Sequence, residues 1–171
     1  MKRRKCTAIV LAAGQGKRMG SRIQKQFLEI CGRPVLYYSL AAFQDSPLID
    51  SMILVTGAAE IPFVQKEIVE KYGFSKVKMV VEGGAERYAS VWKGVQALEH
   101  TLTEEEKEGC VFIHDGVRPF IHEEILSRAF DAVEKYHACA VGMPSKDTVK
   151  IADQDGFVAM TPARSLVWSI Q

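Results

Sequence analysis

Short apolar runs alternate with stretches of helical period along most of this chain. Thr7 to Ala13 is a continuous apolar, partly β-branched run and predicts a buried strand. Pro34 opens a helix, as proline does at a first helical position, and Leu36, Leu40 and Phe43 supply its apolar face. Ile49 to Thr56 reads as a second strand. Pro62 to Tyr72 reads as a helix that stops at Gly73. Lys76 to Val81 is a third strand, running into Gly83 and Gly84. Glu86 to Leu98 is helical, with Val91, Val95 and Leu98 on one face. Thr103 to Gly109 is a charged connection and Cys110 to His114 a buried strand. Leu126, Phe130, Val133 and His137 mark another helix, and Ala138 to Met143 another strand. The alternation then breaks. Lys146 to Ala152 and Phe157 to Met160 flank Asp153-Gln154-Asp155-Gly156, and Asp-Gly between extended runs is a hairpin signal.

Strand and helix in alternation predict an α/β chain: a Rossmann-like, mostly parallel sheet with helices on both faces, plus a protruding β-hairpin arm over 145–168. Such a sheet binds ligands at the carboxyl ends of its strands. Gly14 follows the first strand, Gly83-Gly84 the third, and Asp115 the strand ending at His114. The architecture would gather all three on one rim.

The first of these spots carries the most chemistry. The apolar run stops at Gly14-Gln15-Gly16, and Lys17, Arg18 and Lys25 follow. Glycines let backbone N–H groups approach anionic oxygens, and clustered cations neutralise the remaining charge. A dinucleotide fingerprint would read G-x-G-x-x-G, but Gly20 comes one residue late. A Walker loop would put a hydroxyl after Gly16-Lys17, and Arg18 stands there instead. Two cations within the loop suit a triphosphate whose charge must be stabilised as it reacts.

Composition narrows the classes. The chain has 171 residues and a formal net charge of +1, which suits one α/β domain and removes the case for a nucleic-acid binder driven by bulk charge. Cys6, Cys31, Cys110 and Cys139 form no C-x-x-C or Cys/His cluster and read as free thiols of a reducing, cytoplasmic compartment. Lys2 to Lys5 before an apolar run imitates a signal peptide, but cleavage there would destroy the glycine loop. No stretch is long enough to span a membrane.

The string Leu11-Ala12-Ala13-Gly14, with Gly16, Arg18-Met19 and then Lys25-Gln26-Phe27, resembles the signature of sugar-nucleotide and alditol-phosphate nucleotidyltransferases. Three more strings follow: Gly83-Gly84-Ala85-Glu86-Arg87 with Ser90, His114-Asp115-Gly116-Val117-Arg118-Pro119, and Lys146-Asp147-Thr148-Val149-Lys150. Their order and spacing resemble the 2-C-methyl-D-erythritol 4-phosphate cytidylyltransferases over essentially the whole chain. The resemblance implies a single nucleotidyltransferase domain over 1–171, with the arm of 145–168 within it as the dimerisation element. The implied reaction joins CTP to the alditol phosphate and releases pyrophosphate, in the non-mevalonate isoprenoid pathway. Arg18 and Lys25 are implied to stabilise charge on the phosphates. Leu11, Ala12, Ala13, Gly14 and Gly16 line the nucleotide, Gly84, Ala85 and Ser90 read cytosine, and Arg87 orients that loop. Asp115 holds the alditol hydroxyls, with ribose or metal as alternatives. Arg118, Thr148 and Arg164 complete the substrate side. Mg2+ rides mainly on the CTP phosphates, and no protein metal ligand is assigned. The arm implies a homodimer.

Three departures from the family pattern stand out. Leu11 replaces a frequent proline, Thr161-Pro162-Ala163 lacks the aspartate that usually precedes Arg164, and the pattern runs on past Gln171, which implies a C-terminally shortened chain. Other readings are a ribitol-5-phosphate cytidylyltransferase, a non-catalytic CTP-binding fragment, and a nicotinamide-dependent oxidoreductase resting on the glycine loop alone. His114 is expected to pack beside the site, and Trp92 and Trp168 to pack.

Overall fold

The computed structural model describes residues 3–14, 23–101, 103 and 107–170. The chain forms two compact units, Met1–Phe130 and Asp131–Gln171. In the first, β1 (Cys6–Ala12), β4 (Ser51–Thr56), β5 (Val77–Glu82) and β6 (Cys110–Asp115) form one sheet in the order β5-β4-β1-β6. Every pairing is parallel, with Thr7 opposite both Ser51 and Val111. β1 is buried along its whole length, which is why its seven residues carry no charge. The chain leaves β1 toward β4 and β5, then returns to place β6 on β1's other side. The order therefore reverses between β1 and β6, and a crevice opens there at the carboxyl ends.

Pleating sorts the two faces. Ile9, Leu11, Ile53 and Val55 meet Ala97 and Leu98 of α3 (Arg87–Thr101), with Met79, Val81, Val91 and Val95 packed around them. Gly94 lets α3 come close: a Cβ there would lie 2.6 Å from Ile9 Cγ2. On the opposite face α1 (Val35–Asp45) buries Leu36, Leu40 and Phe43. Leu36 and Val10 both border Gly116, whose added Cβ would meet them at 2.8 and 3.2 Å.

Several elements differ from the sequence expectation. Pro34 precedes α1 and pairs in a two-residue ladder, β2 (Glu29–Ile30) with β3 (Arg33–Pro34). The helix expected over 62–72 is composite: a 3-10 turn (Ala58–Glu60), a short α2 (Ile61–Phe63) and a π-helical stretch (Val64–Glu70). Its stop is as expected, since Gly73 has φ +68°. The last long helix, α4 (Glu123–Tyr136), ends one residue early, because His137 itself takes the left-handed conformation at φ +68°. Trp92 is expected to pack, yet on α3 it is 60 % exposed.

In the second unit, β7 (Gly142–Pro144) pairs antiparallel with β10 (Trp168–Ile170). The strand expected from Ala138 is thus confined to its end. β8 (Ile151–Ala152) and β9 (Val158–Met160) form the expected hairpin, shorter than its apolar runs suggested. Gly156 turns it at φ +87°, and Asp153 Oδ1 accepts the N–H groups of Asp155 and Phe157 at 3.0 and 2.9 Å. Trp168 is exposed as well (55 %).

Two tertiary contacts tie β1's start, at the end of the sheet away from the rim. Cys6 and Cys110 are register partners and both are buried free thiols. Burial, with Cys110 alongside, pushes the Cys6 thiol up to about 12, so it is inert as a nucleophile near neutral pH. Asp50 accepts from the Cys6 N–H at 2.9 Å and pairs with Lys5 Nζ at 3.0 Å and Arg3 Nη2 at 3.1 Å. Burial alone would raise its carboxyl, but these donors outweigh burial and hold it below the usual value. A depressed folded value stabilises above the unfolded pKa and is lost as pH falls through the folded one. Asp50→Asn is therefore expected to lower stability at neutral pH by about 1 kcal/mol. The difference from the parent closes in acid, and urea unfolding across pH measures it.

Candidate active site

The rim begins where β1 ends. Ala12 is buried, Ala13 half-buried and Gly14 exposed, so the backbone surfaces over three residues. Among the described residues, a Cβ on Gly14 would meet no atom within 4 Å. Lys25 begins a 3-10 turn, Lys25–Phe27, that folds back onto this point. Gln26 is buried, and its Nε2 donates to Ala12 O at 2.6 Å and Gly14 O at 3.2 Å. Gly16 and Arg18, expected to line the nucleotide and to stabilise charge, lie outside the described residues.

The second spot follows β5. The Gly83 N–H donates to Thr56 O at 2.7 Å, carrying the loop across the end of β4. A Cβ on Gly83 would lie 2.4 Å from Ala13 Cβ, so the two loops touch there only because Gly83 has no side chain. A Cβ on Gly84 would meet Ala89 Cβ at the same distance. Ser90 is buried rather than exposed on its helix: its Oγ accepts the Gly84 N–H at 3.0 Å. Lys93 Nζ donates to Gly83 O at 3.0 Å and pairs with Glu82 at 3.4 Å. Ala85 is exposed at the tip.

The third spot closes the crevice. Asp115 ends β6 beside Leu11, whose carbonyl accepts the Gly116 N–H at 2.8 Å. Its two oxygens face two guanidinium groups, Arg87 Nε at 3.0 Å and Arg118 Nε at 3.2 Å. Burial pushes this carboxyl up, but the Arg118 and Arg87 hydrogen bonds prevail and hold it below the ordinary value. Asp115 is thus ionised at neutral pH. Arg87, expected to orient the loop of Gly83 and Gly84, links the helix after that loop to Asp115. The turn after Asp115 is pinned from α1: buried Ser39 Oγ donates to Gly116 O and Arg118 O, each at 3.1 Å. His114 places its Nε2 3.1 Å from Arg118 O and its ring edge-on to Phe43 at 5.3 Å. Burial lowers its pKa, so the ring is mostly neutral near pH 7 with the proton on Nε2, toward the carbonyl.

The structure thus brings together Leu11, Ala12, Ala13, Gly14, Lys25, Gly84, Ala85, Arg87, Ser90, Asp115 and Arg118 at one end of one sheet. Thr148 and Arg164 belong to the second unit: Thr148 is exposed between β7 and β8, and Arg164 Nη1 donates to Lys146 O at 3.4 Å. Sequence reasoning missed Gln26, Ser39 and Lys93 as supports. A polar residue inside a motif, or on the apolar face with Leu36, Leu40 and Phe43, was the available signal for the first two.

Comparison with known proteins decides the class. A family profile described as 2-C-methyl-D-erythritol 4-phosphate cytidylyltransferase matches residues 6–171. The chain belongs to that family. The protein of this name from Lachnoclostridium phytofermentans is 48% identical over 167 residues, covering 98% of this chain and 68% of that protein. The one from Geobacter metallireducens is 46% identical over 164 residues, covering 96% and 69%. Among solved structures, the 4-diphosphocytidyl-2C-methyl-D-erythritol synthase of Anaerococcus prevotii superimposes with a TM-score of 0.77 at 35% identity, covering 98% of this chain and 67% of that one. Family membership makes the chain a cytidylyltransferase and removes the oxidoreductase reading. It also prefers methylerythritol phosphate over ribitol phosphate.

Proposed function

We infer that the rim of this sheet joins CTP to 2-C-methyl-D-erythritol 4-phosphate through the residues described. An acceptor phosphate oxygen attacks the α-phosphorus of CTP. The new P–O bond forms as the bond to the β-phosphate bridging oxygen breaks, and pyrophosphate leaves with that electron pair. The acceptor phosphate is ionised near neutral pH, so no side chain need act as a base; neutral His114, with Nε2 turned to a carbonyl, is consistent with this. The protein's work is placement and charge stabilisation. Arg18 and Lys25 meet the charge on the α-phosphate and departing pyrophosphate. The backbone from Leu11 to Gly16 lies along the nucleotide. Gly84, Ala85 and Ser90 face cytosine, with Gly83 packed against Ala13 behind them. Asp115 holds acceptor hydroxyls, with Arg118 beside it. Thr148 and Arg164 contact the acceptor phosphate, in a homodimer assembled through the 145–168 arm.

Among the described residues, no three His, Cys, Asp or Glu side chains form a metal cage. Both Asp115 oxygens already face guanidinium groups. This donor set suits Mg2+ held by CTP phosphates and water, as that ion prefers. Its contribution there is neutralisation of phosphate charge. Among the described residues no helix is long and apolar enough to cross a membrane. We place the reaction in the cytoplasm, away from membrane and nucleic acid.

The observation that carries this reading is the Arg87–Asp115–Arg118 cluster. It joins the helix after the cytosine loop to the acceptor side of the crevice. Pyrophosphate release from Mg-CTP with methylerythritol phosphate, compared with ribitol 5-phosphate and with UTP or ATP as donors, tests it. Selective turnover of CTP with methylerythritol phosphate is expected. Preference for ribitol phosphate would overturn the acceptor assignment, and CTP binding without turnover would favour a binding fragment.

A further inference from the structure

We propose that Gln26 is a positioning residue that holds Lys25 and the end of β1 in one frame for the reacting triphosphate. The inference rests on the function just inferred.

Gln26 is 1 % exposed, so its polar side chain is out of water. A buried amide is retained only when its hydrogen bonds are made. Its Nε2 faces three acceptors: Ala12 O at 2.6 Å, Gly14 O at 3.2 Å and Gln24 Oε1 at 2.5 Å. Ala12 is the last residue of β1, and past it the backbone turns up into the glycine loop. Carbonyls at such a departure lose the sheet as a partner and need another. Gln26 supplies it from a turn whose first residue is Lys25. One side-chain amide therefore fixes the distance between the strand end that lines the nucleotide and the cation that meets its phosphates.

The turn is braced from outside as well. Gln24 Nε2 donates to Glu60 Oε1 at 2.5 Å, and the Phe27 ring meets Phe63 edge-on at 5.2 Å. The Glu60 carboxylate folds back over Gly57, where an added Cβ would lie 2.0 Å from Oε2. The brace thus runs from Gly57 through Glu60 and Gln24 to Gln26, and from there to β1. Among the described residues, the charged groups along this brace are Lys25, adjacent in the chain, and Glu60, one hydrogen bond further out.

Gln26→Met keeps the length and apolar fit but removes the donor. Gln26→Glu keeps the shape but turns a carboxylate toward two main-chain carbonyl oxygens and the Gln24 amide oxygen. Steady-state pyrophosphate release, calorimetric CTP binding and thermal melting are measured for both and for the parent. Gln26→Met is expected to remain folded, with kcat lowered about 100-fold, as a misplacement near 1 Å costs, and CTP affinity changed by less than about tenfold. Gln26→Glu is expected to regain activity relative to the parent as pH falls from about 8 to about 6, because the neutral carboxyl donates to Ala12 O again. A purely packing role would show neither the kcat-selective loss nor the acid rescue. Gln26→Met with parental kcat, or with losses that only track unfolding, overturns the proposal. A folded parent that fails to release pyrophosphate overturns the underlying function instead, so the two failures are distinct.

Discussion

Asp115→Asn is expected to lower kcat/KM for cytidylyl transfer by about 100-fold, or about 2.7 kcal/mol of transition-state stabilisation. The substitution keeps the shape and removes the charge. Asp115 lies at the β1–β6 reversal with Arg87 Nε and Arg118 Nε on separate oxygens. An uncharged amide cannot satisfy both: its oxygen accepts, but its NH2 would point a donor at a guanidinium donor. One arginine is released, and the acceptor loses an anionic partner for its hydroxyls. The cluster is half-exposed, so little of this loss appears as stability. The melting temperature should fall by only a few degrees. Steady-state kinetics with the acceptor varied, alongside thermal melting, separates the two. A variant with parental kcat/KM would show that the carboxylate takes no part in transfer.

Gly83→Ala is the second large effect. The added Cβ would meet Ala13 Cβ at 2.4 Å and Ser90 Oγ at 2.9 Å. Ser90 can rotate away, at the cost of its bond to the Gly84 N–H. Ala13 cannot, because its Cβ is fixed to the backbone. The loops after β1 and β5 must move apart, and they form the two walls proposed to hold the nucleotide. CTP affinity is expected to fall at least tenfold, with about 1–3 kcal/mol of overpacking shared between binding and stability. Gly14→Ala is the matched control, since its Cβ meets nothing within 4 Å among the described residues. It should leave the melting temperature unchanged, and any loss of CTP affinity then reports a ligand beside Gly14. Calorimetric titration with Mg-CTP and a melting curve for each variant check both statements. Equal CTP affinity in Gly83→Ala and the parent would place the nucleotide elsewhere.

Both predictions rest on contacts that only the fold makes: the sequence named the residues, but not that Arg87 reaches Asp115 from another element or that Gly83 meets Ala13 across two loops. The central strands β1 and β4 were legible because buried parallel strands need unbroken apolar runs, a local property. β5 and β6 lie at the sheet edges, and the expectation that Cys110 to His114 is buried fails there: Val111 and Ile113 are exposed, because an edge strand is covered less than a central one. The rim was legible because their carboxyl ends must share an edge. The composite helix over 58–72 was not, since one helical period accommodates α, 3-10 and π turns alike. The strand expected from Ala138 and the long hairpin arms failed for another reason. Apolar residues in extended runs became exposed, as Phe157 and Val158 are, and short ladders need only a few of them. Trp92 and Trp168 misled in the same way: size predicts burial only where a core is available to receive it.

By itself, the sequence determined the α/β class, the glycine loop, the motif order that marks the family, and the identity of most rim residues. These are written in local composition and spacing, which physical chemistry reads one segment at a time. The tertiary structure decided who holds whom. It gave Arg87 to Asp115, Ser39 to the turn after it, and buried Ser90 against Gly84. It turned Gln26 from a motif letter into the link between Lys25 and β1. Hydrogen-bond partners depend on distance and angle across packed elements, and those exist only once the sheet has brought the segments together.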